Sequence, residues 1–409
     1  MMKKMELLAP AGDLEKLKIA VLYGADAVYF GGELFSLRAG AGNFSIEDIR
    51  EGVAFAHMHG AKAYMALNIF AHNADIEPLR EYLAKIREIP IDAFIVSDPG
   101  IILLIREQIP EAEIHLSTQS NMTNYVTAQF WHQMGVSRIV IARELTFPEI
   151  RTLRYEIPEE MELEAFVHGA MCISYSGRCL LSNFMTERDA NRGMCAHPCR
   201  WKYHLMEEQR PGEYFPIEED ERGTYILNSR DLCMIEHIPE LAEAGIVSAK
   251  IEGRMKSIFY VATIVSAYRR AIDKYFEDPA NYRFDPNWLT EVRKVSHREF
   301  TTGFYFHQPT NRDQNYQTSA YTREYSFVGL VKSYDAETGF AVVEQRNKMS
   351  IGDEIEVFGP YTDFYSQKLE EMYDLESGEA VSSAPHPQQL LRIRLSGTAG
   401  PNFMLRKKK

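Results

Sequence analysis

From Met5 to Tyr275 this chain repeats one unit, a short apolar strand followed by a helix. Met5–Pro10, Ala25–Gly31, Ala61–Asn68, Ala93–Ser97, Glu113–Ser117, Arg138–Ala142, Leu163–Val167 and Val247–Ile251 read as strands. Helical stretches such as Leu14–Tyr23, Ser45–His59 and Phe259–Tyr275 lie between or after them. Strands with β-branched or aromatic centres that alternate with helices form parallel βα units. Eight such units close naturally into a (β/α)8 barrel. A doubly wound sheet is the other arrangement open to them. That fold carries a Gly-rich G-x-G-x-x-G turn after its first strand, and here the turn reads Ala11-Gly12-Asp13. A TIM-like barrel over residues 1–282 is therefore expected.

The spacing is regular until the seventh strand. An insertion of about residues 169–245 then precedes the eighth. In a barrel this loop leaves the C-terminal face, where active sites are built, and a loop this long is usually functional. Past Tyr282 the pattern changes. Residues 283–324 read as a connection packed on the barrel. Residues 325–409 alternate in short strands, with turns at Ala336-Glu-Thr-Gly339 and Ser350-Ile-Gly-Asp353, as in a small all-β barrel domain.

The 409 residues are 45% hydrophobic, which suffices for a sizeable core and excludes a disordered chain. No stretch approaches the ~18 apolar residues of a membrane span, and the apolar run after Met1 is too short for a signal-peptide core. A cytoplasmic protein is expected. The net charge of −13 argues against a general nucleic-acid coat protein, though not against a local basic patch.

All five cysteines fall in the insertion. Cys172, Cys179, Cys195 and Cys199 follow the pattern C-x6-C-x15-C-x3-C, and Cys233 lies further on. Clustered thiols in a cytosolic chain point to metal binding or redox chemistry, and thiolates are the soft ligands that iron–sulfur clusters and zinc select. The spacing is not a zinc-ribbon pair of C-x2-C knuckles. Three readings remain open at this point: an iron–sulfur cluster, a zinc site, and unrelated packed thiols. Cys233 is an alternative to Cys199 as fourth ligand. Gly169, Gly177 and Gly193 allow close backbone approach, and Arg178, Arg192 and Arg200 are candidates to offset thiolate charge.

Several longer motifs then become informative together. Glu164-Ala-Phe-Val-His168-Gly-Ala-Met-Cys172 runs on to Gly177-Arg178-Cys179-Leu-Leu-Ser182. To these add Leu8-Ala-Pro-Ala-Gly12, Gly24-Ala-Asp-Ala-Val28, His115-Leu-Ser-Thr-Gln119, Cys199-Arg-Trp-Lys-Tyr203, Lys250-Ile-Glu-Gly-Arg254 and Ser296-His-Arg-Glu299. The set resembles the signature of peptidase family U32, from residue 8 to about 304, with a similar C-terminal unit after it. Within that family the chain looks like the bacterial prephenate-dependent tRNA uridine 5-hydroxylases, which act at the wobble position. The family also holds collagenase-like peptidases, hydroxylases of ubiquinone synthesis and a hydroxylase of ribosomal RNA. The resemblance implies a 4Fe-4S cluster on Cys172, Cys179, Cys195 and Cys199, prephenate as co-substrate and tRNA as partner, and it leaves open whether a second family member is a further partner. It leaves the oligomeric state open.

Asn68, Asp98, Gln119, Arg143, Glu144, His168, Glu252 and Arg254 stand at predicted strand ends. Arg143, Arg178 and Arg254 are the candidates for a dicarboxylate, because guanidinium forks suit carboxylates. Gln119 and Asn68 are further candidate contacts to that co-substrate. His168 or Glu164 would handle protons, with Glu252 beside them. RNA binding needs local positive charge and stacking surface. Between Cys172 and His204, Arg178, Arg188, Arg192, Arg200 and Lys202 face only Glu187 and Asp189, with Trp201 and Tyr203 interleaved. Two other functions compete. A peptidase would pair Cys172 with His168. A non-catalytic RNA-binding scaffold would use its metal only to hold the loop.

Overall fold

The computed structural model describes residues 3–36, 43–172, 175, 178–188, 190–201, 204–206, 214–216, 230–307 and 322–409. Strands β1 (Glu6–Pro10), β2 (Ala27–Phe30), β3 (Lys62–Leu67), β4 (Ala93–Val96), β5 (Ile114–Leu116), β6 (Arg138–Val140) and β7 (Glu162–Ala170) pair in chain order. All of these pairs are parallel. In the insertion, β8 (His204–Met206) and β9 (Tyr214–Pro216) form a separate hairpin. β10 (Asp231–Cys233) runs antiparallel along the end of β7. β11 (Ile246–Ile251) then pairs in parallel with both β7 and β1. Eight parallel strands thus close into the expected barrel.

Helices α1 (Leu14–Leu22), α2 (Ile46–Met58), α3 (Asn73–Ile86), α4 (Pro99–Gln108), α5 (Tyr125–Gln133) and α6 (Phe147–Glu156) follow the first six strands. Short polar side chains start them. Asp13 accepts the Lys16 N–H, Ser45 and Asp48 form a reciprocal capping box, and Asp98 accepts from Gly100 and Ile101. Asp98 is thereby a helix cap. In the insertion lie α7 (Leu181–Thr186) and α8 (Ile238–Glu243). α9 (Ile258–Glu277) is buried along most of its length, and α10 (Pro286–Arg293) packs on it. A helix apolar on more than one face is one covered on more than one side. The barrel covers one side of α9, and the C-terminal domain covers another through the stacked rings of Phe259 and Phe327.

That domain comprises β13 (Tyr325–Asp335), β14 (Phe340–Gln345), β15 (Met349–Ser350), β16 (Glu354–Phe358), β17 (Tyr365–Lys368), β18 (Met372–Asp374), β19 (Ser383–Ala384), β20 (Leu390–Arg394) and β21 (Met404–Lys408). Before it, β12 (Phe300–Thr301) pairs with β10. Seven of the domain's strands form one antiparallel sheet, ordered β17-β16-β21-β13-β14-β20-β18, curved as a half-barrel. Arg406, fully buried, bonds Glu356 and Glu291 at 2.7 Å each. Lys294 bridges the same two carboxylates, which fastens β16 and β21 to α10.

The barrel interior is divided. Leu8, Ala27, Tyr29, Tyr64, Ala66, Ala93 and Ile95 fill one half with apolar packing. The other half is a connected set of charges. Arg138 bonds Glu6 and Glu162 at 2.6 Å each and Glu164 at 3.3 Å. Glu164 accepts from Lys250 at 2.7 Å. Ser248 donates to Glu6 and Glu164. A buried charge is tolerated only when it is paired and hydrogen-bonded in this way.

Candidate functional site

A cavity of about 350 Å³ opens at the C-terminal mouth of the barrel. Its floor is set by inward-facing residues near strand ends, among them Tyr29, Ile95, Val140, Phe166 and Lys250. Its roof is the insertion. Cys172, Cys179, Cys195 and Cys199 all line it, with His197 and Pro198 between the last two. The insertion is held down partly by Arg192, whose guanidinium makes two bonds to Asp75 at the start of α3, of 2.8 and 2.9 Å. The hydrogen bond from Arg192 holds the Asp75 carboxyl down at about 2. Arg192 is therefore an anchor of the lobe.

Two of the four sulfurs accept backbone N–H groups two residues on. Leu181 N–H points to Cys179 Sγ and His197 N–H to Cys195 Sγ, both at 3.4 Å. Such donors stabilise a thiolate and tune a cluster bound to it. The soft donor set and these N–H groups fit an iron–sulfur centre. No three His, Cys, Asp or Glu side chains among the described residues are already gathered as the ligands of one ion. Cys233 is elsewhere. It lies in β10 opposite His168, buried, 4.0 Å from the Tyr268 hydroxyl, and absent from the cavity wall. Burial pushes its thiol up to about 12. The structure therefore places Cys199, and not Cys233, with the other three.

The cavity wall is cationic. Arg143, Lys250, Arg254, Lys256 and Arg298 face one carboxylate among the described residues, Glu252. Arg143 donates to the Ala170 carbonyl at 3.0 Å and lies over the Phe166 ring. Arg254 is buried and donates to Ser36 Oγ and Asn43 Oδ1. The glycines of the sequence motifs make room for these groups. A Cβ on Gly12 would lie 2.0 Å from the Arg254 carbonyl oxygen, and one on Gly31 would lie 2.4 Å from its Nη2. Gly169, at φ +109°, has Glu252 at 2.7 Å from the same virtual atom. Asn68 and Gln119 also line the cavity. Gln119 Oε1 is buried without a hydrogen-bond partner among the described residues. An orphaned acceptor needs a donor, so it suits an N–H or O–H of a ligand better than a carboxylate.

Besides the helix cap Asp98, four expected site residues stand apart from this wall. Glu164 is fully buried inside the barrel, bonded to Lys250 and Arg138. Burial pushes its carboxyl up, but Lys250 and Arg138 outweigh that and leave it below the ordinary glutamate value. It lies inside the barrel, held by two cations and away from the cavity wall. His168 is 1% exposed and packed against the rings of Tyr260, Tyr268 and Phe300. Burial, with Lys256 and His297 nearby, lowers its pKa to about 3, so it remains a neutral ring. Glu144 is absent from the wall, and burial raises its pKa. Arg178 lies over the Phe70 ring, 5.1 Å from its centroid, beside the cavity. Gly177, Asp189, Lys202 and Tyr203 lie outside the described residues, as does the side chain of Arg200.

Lys250 is the residue that reading for strand ends missed. Its Nζ lies 4.4 Å from the centroid of the Tyr29 ring and 2.7 Å from Glu164. Burial lowers its pKa, and Glu164 restores part of the loss. The signal was present in the alternation of its strand. Ser248 and Lys250 share one face, and Ala249 and Ile251 share the other.

Residues 12–315 match the model of peptidase family U32, and residues 323–406 match that of the peptidase family U32 C-terminal domain. The chain is similar to tRNA hydroxylation protein P1 of Bacillus subtilis, 46% identical over all of this chain and 96% of that one. It is 39% identical to tRNA hydroxylation protein P of Escherichia coli, over 94% of this chain and 92% of the relative. It is 32% identical to a collagenase of Porphyromonas gingivalis, over 92% of each chain.

Proposed function

We propose that this chain, which belongs to peptidase family U32, is a tRNA hydroxylase. The observation that carries this reading is the meeting of four insertion thiols and a cationic barrel mouth on one cavity. The two full-length relatives named for tRNA hydroxylation support it. In the finer form of the proposal the substrate is the wobble uridine, the product is 5-hydroxyuridine, and prephenate is the co-substrate. Replacing a ring hydrogen by hydroxyl is an oxidation, and side chains alone do not move the electrons. Cys172, Cys179, Cys195 and Cys199 would hold a 4Fe-4S cluster, which supplies electron transfer when bound.

The protein's own groups have separable tasks in this reading. Arg143, Arg254 and Arg298 offer charge and N–H donors to the carboxylates of prephenate. Lys250 holds positive charge at the floor. Gln119 Oε1 offers an acceptor to the imide N–H of a uracil, which a cytosine lacks at that position.

The peptidase reading required Cys172 and His168 to work as a pair. The His168 ring is off the cavity wall, with the Tyr268 hydroxyl 3.4 Å from its Nδ1, so that dyad is not assembled. Nucleoside mass spectrometry of tRNA from a deletion strain without paralogues tests the proposal. Loss of 5-hydroxyuridine-derived nucleosides, restored by the wild-type gene and not by a Cys179→Ser gene, is expected. Unchanged nucleosides refute the hydroxylase reading. A protein that still binds tRNA in that case is the metal-held scaffold.

A further inference from the structure

Soluble chains usually scatter their exposed large apolar side chains. Here one stretch of the insertion concentrates them. Tyr175, Leu180, Phe184, Met185, Met194 and Trp201 are all exposed, and Phe184 is 83% so. The same stretch supplies three of the four cavity thiols. Its described charges are Arg178, Arg188 and the anchored Arg192, with Glu187 as the only acid among the described residues. Arg178, next in the chain to the cavity residue Cys179, already stacks on Phe70, and Met255, 54% exposed, lines the cavity itself.

We propose that this rim, with Phe184 and Trp201 as stacking platforms and Arg178 and Arg188 as phosphate contacts, grips the single-stranded RNA loop that presents the target base. The inference rests on the tRNA reading above and adds the surface that does the binding. A base held in a stacked loop cannot reach thiols that line a cavity. It must leave the stack, which costs unstacking energy. Exposed rings beside the mouth replace the stacking that the neighbouring bases lose. Charge selects this place. The chain as a whole carries −13 and repels RNA, whereas the cavity wall is cationic and the rim beside Arg192 sets Arg178 and Arg188 against Glu187 among the described residues. A protein-docking face would have a contiguous apolar centre depleted of charge. Here arginines interrupt the rings.

The test uses the full-length protein, purified anaerobically, and a labelled synthetic anticodon stem-loop as probe, read by fluorescence anisotropy. Phe184→Ala and Trp201→Ala should each weaken binding about five- to a hundredfold, and Phe184→Trp should bind like wild type. Arg188→Ala should weaken binding and flatten its dependence on salt. Met58→Ala, which removes an equally exposed side chain on α2, should change nothing. An unchanged visible spectrum in each variant shows that the insertion is intact. Wild-type affinity in both alanine variants with that spectrum intact overturns the proposal. So does a loss of association with another copy of the chain while RNA binding stays normal. A wild-type protein that binds no tRNA overturns this proposal and the hydroxylase reading together. Full tRNA modification by both alanine variants in cells, at limiting expression, overturns the rim alone.

Discussion

Replacing Glu164 by Gln removes one charge from the buried set inside the barrel. Glu164 is 0% exposed and is the anionic partner of Lys250, whose ammonium is otherwise surrounded by the Tyr29 and Phe166 rings. Arg138 keeps Glu6 and Glu162 after the change, but Lys250 is left as a buried cation. Removing one partner of a buried pair costs about 3–5 kcal/mol, whereas replacing both by apolar groups of similar volume is close to neutral. Glu164→Gln should therefore lower stability by that amount in urea titrations followed by circular dichroism. Lys250→Met in the same chain should recover most of it. The pH dependence follows from the depressed Glu164 carboxyl. Its contribution is complete above the ordinary glutamate value of 4.5 and is lost as pH falls through the lower value it has in the fold. The gap between wild type and Glu164→Gln should thus hold from pH 7 to about 5 and close below. A single variant costing under about 1 kcal/mol, or a double variant no better than the single, would show that the pair is not the buried, coupled unit described.

Four other outcomes are expected. Cys172→Ser, Cys179→Ser, Cys195→Ser and Cys199→Ser should each lose iron and visible absorption after anaerobic reconstitution, while Cys233→Ala keeps both, because only the first four line the cavity; iron analysis of the five proteins decides it. His168 has a pKa near 3 in the fold and near 6.5 when unfolded, so wild type should lose stability relative to His168→Phe as pH falls from 7 toward 4. Gly169→Ala, at positive φ and against Glu252, should cost about 1–3 kcal/mol in unfolding assays and lower activity. Arg192→Ala breaks a partly exposed pair, so global stability should change by about 1 kcal/mol or less, while limited proteolysis of the insertion becomes faster.

The barrel was legible because parallel strands buried on both faces leave continuous apolar runs, as in Ala93–Val96 and Ala27–Phe30. The thiols were legible because their spacing and isolation are rare for packed residues. The roles of Glu164 and His168 were not. Glu164, Phe166 and His168 share one face of β7 by simple alternation, but the register shift against β11 between Phe166 and His168, together with depth, sends Glu164 into the barrel interior and His168 into an aromatic pocket. Lys250 was hidden for the same reason. The rim was only half visible: Trp201 stood out beside arginines, whereas Phe184 reads as an ordinary core residue until the fold leaves it outside.

Barrel closure has an order in time. Ribosomes release a chain from its N-terminus, so Cys199 emerges well before β11. Until Ile246–Ile251 docks between β1 and β7, β1 and the first part of β7 lack their shared partner, and Lys250, Glu252 and Arg254 have no place to stand. The thiols are thus made before the wall that faces them. The last strand to arrive both seals the cylinder and completes the chamber, so chain ends truncated before it should yield neither.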